Sequence, residues 1–143
     1  MAKSHNVKLT ITNKSGVDLN FAGEWFDSGR VADGYSWPKV IKNGDHETIL
    51  CYEKDGALAG CSGYCIYKVN GGTELTIAFS NPSAGSNKLG AGTGSAKKVW
   101  DDMDNHDYKP FVVEFSANGN NYYANCKCTG SSVNDATVSI SPR

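Results

Sequence analysis

The sequence predicts an all-β protein: one domain over residues 1–143, built as a β-sandwich of about ten short antiparallel strands with one or two short flanking helices. Three observations carry that reading. Apolar and polar residues alternate with a period of two in short segments along the whole chain, as in strands with one buried face. Turn-forming residues separate those segments at hairpin spacing, and the 16 glycines stand among frequent Asn, Ser and Thr. Helical periodicity shows in only one window, Ala96 to Asn105.

Val7 to Thr12 alternates apolar and polar as a half-buried strand, and Asn13-Lys14-Ser15-Gly16 turns the chain. Leu19 to Trp25 alternates again, with Leu19, Phe21, Gly23 and Trp25 expected on one side. Asp27-Ser28-Gly29-Arg30 and Ala32-Asp33-Gly34 mark a loop. Pro38 to Ile41 reads as a short edge strand, because proline brings no ladder donor. Asn43-Gly44-Asp45 is a turn, Glu47 to Glu53 a strand, and Asp55 to Gly60 a loop. Gly63 to Val69 and Thr73 to Ser80 form a hairpin across Asn70-Gly71-Gly72, with Leu75, Ile77 and Phe79 on one face. Asn81 to Ser95 reads as a Gly/Ser/Asn-rich loop. In the helix that follows, Val99 and Met103 fall four apart, Trp100 lies beside them and Ser95 is placed to cap. Phe111 to Phe115, Tyr122 to Cys128 and Ala136 to Ile140 are the last strands, with a turn at Asn118-Gly119-Asn120.

Composition narrows the function. Fourteen Lys and Arg against 15 Asp and Glu leave a net charge of −1, with no basic block to attract nucleic acid. Apolar runs are too short for a membrane-spanning helix. The start, Met1-Ala2-Lys3-Ser4-His5-Asn6, has no apolar signal region, so a cytoplasmic or leaderless-secreted protein is expected.

The cysteines are Cys51, Cys61, Cys65, Cys126 and Cys128, an odd count that leaves at least one free or intermolecular. Cys126 and Cys128 share one face of an extended segment, with Cα atoms about 7 Å apart, at or beyond disulfide reach. Cys61, Cys65, Cys126 and Cys128 are the only candidate zinc ligands, but neither pair has the two-residue spacing of a zinc knuckle. We read all five as small buried hydrophobes; a metal or redox protein is the reading from another class.

No catalytic residues and no cofactor are expected. His5, His46 and His106 are scattered, and there is no Gly-x-Ser-x-Gly elbow. Asp101, Asp102, Asp104 and Asp107 lack the ligand alternation and glycine of a calcium loop and read as a solvated helix face. Gly90-Ala91-Gly92-Thr93-Gly94-Ser95 precedes a helix but lacks phosphate-loop spacing, so it reads as a flexible surface loop. Aromatics are the better lead for recognition: Trp25, Phe26, Tyr35, Trp37, Tyr64, Trp100, Tyr108, Tyr122 and Tyr123 are many for a small domain. About half should fill the core; Tyr35 and Trp37, on a loop beside Pro38, are placed for recognition.

Several separated segments resemble, in order, the actinoporin-like superfamily of cytolysins, fungal fruit-body lectins and jasmonate-induced plant proteins with a similar domain. They are Ile11-Thr12-Asn13-Lys14-Ser15-Gly16, Asp27-Ser28-Gly29, Pro38-x-x-Ile41-x-x-Gly44 and Ala59-Gly60-x-x-Gly63-x-x-x-Tyr67. Leu75-Thr76-Ile77-Ala78-Phe79-Ser80-Asn81-Pro82 with Gly85-Ser86-Asn87, and Lys97-Lys98-Val99-Trp100-Asp101-Asp102-Met103, complete the set. The resemblance runs over residues 7 to 105 and more weakly to the end. It implies a β-sandwich with short flanking helices and, at Ser28, Tyr64, Ser80, Pro82 and Trp100, positions matching a phosphocholine pocket, with Tyr35 and Trp37 on a neighbouring loop.

The departures from that pattern bear on activity. Lys88-Leu89-Gly90-Ala91-Gly92 stands where the cytolysins have a membrane-inserting tryptophan loop, and Asp104 and Asn105 stand where they have paired tyrosines. The first strand begins near Val7, without the long amphipathic segment that forms the pore. The resemblance therefore implies a defence-type recognition protein, without enzymatic activity, for a cell-surface glycan or a phosphocholine-type lipid head group. It touches membranes at most peripherally. The alternative it implies is a membrane-damaging cytolysin, working as a homo-oligomer or with a partner that supplies the pore.

Overall fold

Residues 5–106 and 109–143 are described in a computed structural model. The elements are β1 (Asn6–Asn13), β2 (Leu19–Ser28), β3 (Arg30–Val31), β4 (Val40–Ile41), β5 (His46–Tyr52), β6 (Gly60–Val69), β7 (Glu74–Pro82), β8 (Lys88–Gly92), α1 (Ala96–Asp102), β9 (Phe111–Ala117), β10 (Asn120–Lys127) and β11 (Val133–Pro142). A 3-10 turn, Met103–Asn105, continues α1. The strands form a six-stranded sheet ordered β3-β5-β1-β11-β10-β9 and a five-stranded sheet ordered β4-β2-β6-β7-β8. The protein is an all-β sandwich, as its alternation predicts.

The inward rows of the two sheets meet as one core. Val7, Leu9 and Ile11 of β1, Ala136, Val138 and Ile140 of β11, and Leu75, Ile77 and Phe79 of β7 are all fully buried. Each Leu, Ile or Phe so placed contributes about 1.5–3 kcal/mol. The five cysteines belong to this core and carry no disulfide.

Buried asparagines stitch the layers together. Asn81 of β7 donates its amide hydrogens to the carbonyls of Asn6 and Ser132, at 2.9 and 2.8 Å. Asn134 of β11 donates in the opposite direction, to Ser80 and Lys88 of the five-stranded sheet, at 3.0 and 3.2 Å. Asn13 reaches Val17 and Ile41, and Asn87 reaches Thr129 and Ser131, each by the same double donation. A primary amide carries two donors, so one side chain satisfies two carbonyls that a dry interior would otherwise leave unpaired.

Four expectations need correction. The ladder is not wholly antiparallel, because β1 and β11 pair parallel from Asn6↔Val133 to Asn13↔Ile140. Lys88–Gly92, expected as part of a flexible loop, is the edge strand β8, held against Ser80, Ala78 and Thr76 of β7. Glycine content hid it. Arg30–Val31, read as loop, pairs with Tyr52 and Cys51. Trp37, placed on a recognition loop by the sequence, is 8% exposed and packs in the core between Phe21 and Phe79, with ring centroids at 6.2 and 6.3 Å. The chain between β3 and β4 folds it inward, where a large apolar ring gains most from leaving water.

Candidate functional site

The site lies on the outer face of the five-stranded sheet. Along β6, Cys61, Cys65, Tyr67 and Val69 point into the sandwich, so Ser62 and Tyr64 point outward. Across β7, Ser80 pairs with Ser62 and Ala78 with Tyr64, on the same outer face.

Strand β2 joins this face only because its register shifts twice. Phe21 opposes Tyr67 on the core side, but Gly23 then opposes Ile66 and Trp25 opposes Tyr64. The extra residue between Phe21 and Gly23 turns Trp25 outward. Phe26 then falls on the core side by alternation, against Phe79, and a second shift between Phe26 and Ser28 turns Ser28 out beside Ser62. The sequence expectation of Leu19, Phe21, Gly23 and Trp25 on one side therefore holds only for Leu19 and Phe21.

Helix α1 packs over β8 and the middle of β7. Ser95 caps it, its hydroxyl accepting from Lys98 N–H at 3.1 Å, as the sequence predicts. Val99 and Met103 press onto Ala78. A Cβ on Gly90 would stand 3.2 Å from Met103 Cβ, and one on Gly92 3.2 Å from Val99 Cγ2, so the glycines let the helix approach. Next to Val99, Trp100 turns towards β2 and β6.

Three rings meet there. Trp25 and Tyr64 lie 5.3 Å apart, tilted by 31°, and Trp100 meets Trp25 edge-on at 5.1 Å and 85°. Together with Lys97 and Asp101 they line a cavity of about 270 Å³. Lys97 and Asp101 form an i,i+4 ion pair at 2.8 Å. Trp25 is 41% exposed, a large apolar surface that water disfavours and a ligand would cover. Beside the rings, the Ser62 and Ser80 hydroxyls bond each other at 2.6 Å, with Ser28 next in the row and Lys88 opposite Ser80.

Five of the seven sequence candidates, Ser28, Tyr64, Ser80, Pro82 and Trp100, thus share one outer face, Pro82 two residues beyond Ser80 on β7. Tyr35 is exposed on the β3–β4 loop but does not line the aromatic cavity. Trp37 is core. Trp25 is a cavity residue that the sequence did not single out; its alternation placed it with the core, and only the bulge exposes it.

The four candidate zinc ligands do not converge. Among the described residues no three His, Cys, Asp or Glu side chains converge to hold a metal. Cys61 and Cys65 stand four residues apart on one strand, about 13 Å, and Cys126 belongs to the opposite sheet. Burial pushes the Cys126 thiol up to about 12 and the Cys65 thiol further up. The Cys51 thiol is also raised, first by its hydrogen bond with Cys61 and then by burial. Thiols so held stay protonated at neutral pH, whereas metal ligation and nucleophilic attack need thiolate. The acidic residues of the helix disperse likewise: Asp101 pairs with Lys97 and Asp104 with Lys88, while Asp107 and Tyr108 lie outside the described residues.

No family model and no curated protein sequence matches the chain. Solved structures do. The lipid binding protein Nakanori superposes with a TM-score of 0.79 at 15% identity, over 100% of this chain and 73% of that one. The RahU protein in complex with TRIS gives 0.61 at 14%, over 99% and 98%. The Xerocomus chrysenteron lectin XCL gives 0.59 at 15%, over 96% and 99%. At these identities the likeness is one of fold, and this chain has the sandwich found in a lipid-binding protein and in a fungal lectin.

Proposed function

We propose that the protein is a non-enzymatic recognition module whose aromatic cavity receives a phosphocholine-type head group. The observation that carries this is the convergence of Trp25, Tyr64 and Trp100 on one cavity with a paired Lys97 and Asp101 at its wall. A trimethylammonium group has a diffuse charge and no donor, so it is held by aromatic faces rather than by hydrogen bonds. Asp101 supplies the opposite charge for it, and Lys97 a partner for the phosphate. The lipid-binding neighbour on the same fold supports a head-group ligand.

A second reading, a glycan, is favoured by the Ser28–Ser62–Ser80 row. Hydroxyls beside exposed rings suit a sugar, whose C–H face packs on the aromatic while its hydroxyls bond. The lectin neighbour supports it.

Vesicles with and without sphingomyelin, loaded with a dye, and a glycan array test both. Sphingomyelin-dependent binding that soluble phosphocholine competes away is the expected result. Sugar-competed array binding without vesicle binding would move the function to the glycan. Dye release on binding would add membrane damage to recognition. Silence on both surfaces would refute the proposal.

A further inference from the structure

We propose a second binding site, on the outer face of the six-stranded sheet, for an extended sulfated oligosaccharide. It does not depend on the aromatic cavity, which lies on the other sheet.

The face is built by register. Thr12 of β1, Ser139 of β11, Asn125 of β10 and Val112 of β9 form one row across four strands. Thr10, Thr137 and Lys127 form the next. Core residues alternate with these, so their side chains point to solvent. A groove of about 490 Å³ runs over all of these but Thr10, with Lys14 at one end and Lys127 towards the other, and with Pro110, Phe111 and Val112 as an apolar wall.

Its charge is one-sided. The chain as a whole carries −1, yet among the described residues the groove is lined by two lysines and no carboxylate. Among the described residues neither Lys14 nor Lys127 forms an ion pair. Asp135 occupies the row beyond Thr10 and Thr137 and is not in the lining. Val112 is 56% exposed, which leaves an apolar step open beside the polar row.

Spacing sets the ligand's length. Lys14, just past the end of β1, lies four residues along the chain from Thr10, whose row holds Lys127, about 13 Å, and two strands away, about 10 Å, so the two Cα atoms are about 16 Å apart diagonally. Two cations that far apart suit a chain with separated anionic groups, not a single phosphate. Between them come hydroxyls and an amide, which match neutral sugar hydroxyls. A nucleic acid would want a continuous basic stripe, and a bound peptide strand would seek a sheet edge, not a face. Sulfates on the lysines, ring hydroxyls on Thr12, Ser139 and Asn125, and a ring C–H face on Val112 use every feature of the groove.

The test is titration with a short heparin oligosaccharide at low ionic strength, followed by backbone amide shifts of the intact protein. Expected are shifts at Thr12, Asn125 and Ser139, and binding weakened about three- to tenfold by Lys14→Ser or Lys127→Ser. Trp100→Ala should bind the oligosaccharide as the unaltered protein does. The proposal falls if no binding occurs, if the desulfated oligosaccharide binds equally, or if shifts fall elsewhere. It also falls if a polyglutamate peptide or a single-stranded oligonucleotide binds as tightly, which would mean charge alone is read.

Discussion

Replacing Trp100 with alanine separates a binding residue from a packing residue. The ring is half-buried and walls the cavity edge-on to Trp25. A cation on an aromatic face is worth about 0.5–1 kcal/mol when exposed and about 2 when desolvated. A partly open cavity lies between, so Trp100→Ala should cost about 1–1.5 kcal/mol of binding, a roughly five- to twelvefold rise in Kd for phosphocholine. Stability should fall by about 1–2 kcal/mol only, because Val99 and Met103 still hold the helix on β8. A core ring such as the fully buried Phe79 would instead cost about 3–5 kcal/mol. Isothermal titration reads the first quantity without relying on indole fluorescence, and thermal melting reads the second. An unchanged Kd in a well-folded variant would refute the ring's role at the ligand. A collapse in melting temperature would show that Trp100 is core.

Other expectations follow from the same contacts. Gly90→Ala sets a Cβ 3.2 Å from Met103, so it should loosen α1, lower stability by about 1 kcal/mol and weaken head-group binding through Trp100; unchanged melting and binding would contradict that. Asn134→Leu removes the amide that serves Ser80 and Lys88 across the sheets, and urea unfolding should show a loss of about 2–4 kcal/mol. Stability should also fall in alkali. The Cys126 proton is held to about pH 12 in the folded state, whereas an unfolded thiol releases it near 8.5. Stability is therefore complete below pH about 8.5 and declines as pH rises from there, because only the unfolded chain gives up the proton. Equal urea midpoints at neutral and strongly alkaline pH would contradict it. In the folded protein at pH 8 the buried cysteines should resist a thiol reagent, and rapid labelling of Cys51, Cys65 or Cys126 would overturn their core placement.

Some of this was legible in the chain. Val7 to Thr12 and Thr73 to Ser80 announce strands, because a half-buried strand must alternate and alternation is a local property. Ser95 announces a cap for the same reason: its partner, Lys98 N–H, is three residues away. That Tyr64, Ser80 and Trp100 belong together was suggested by the segments that resemble a known superfamily, and the fold does put them on one face. The edge strand Lys88–Gly92 was not, since its glycines answer to the helix packed on them, which lies beyond any short window.

Period, turns and caps, and with them the all-β class, were determined by the sequence alone. The parallel pairing of β1 with β11, the burial of Trp37 and the exposure of Trp25 were decided by the tertiary structure. Which face a residue takes depends on the partner strand's ladder, and one extra residue in β2 reverses it. That reversal brings Trp25 to Tyr64 and Trp100. The bulge is set by what β6 and the core beneath it will accept, a constraint that no local stretch of β2 contains.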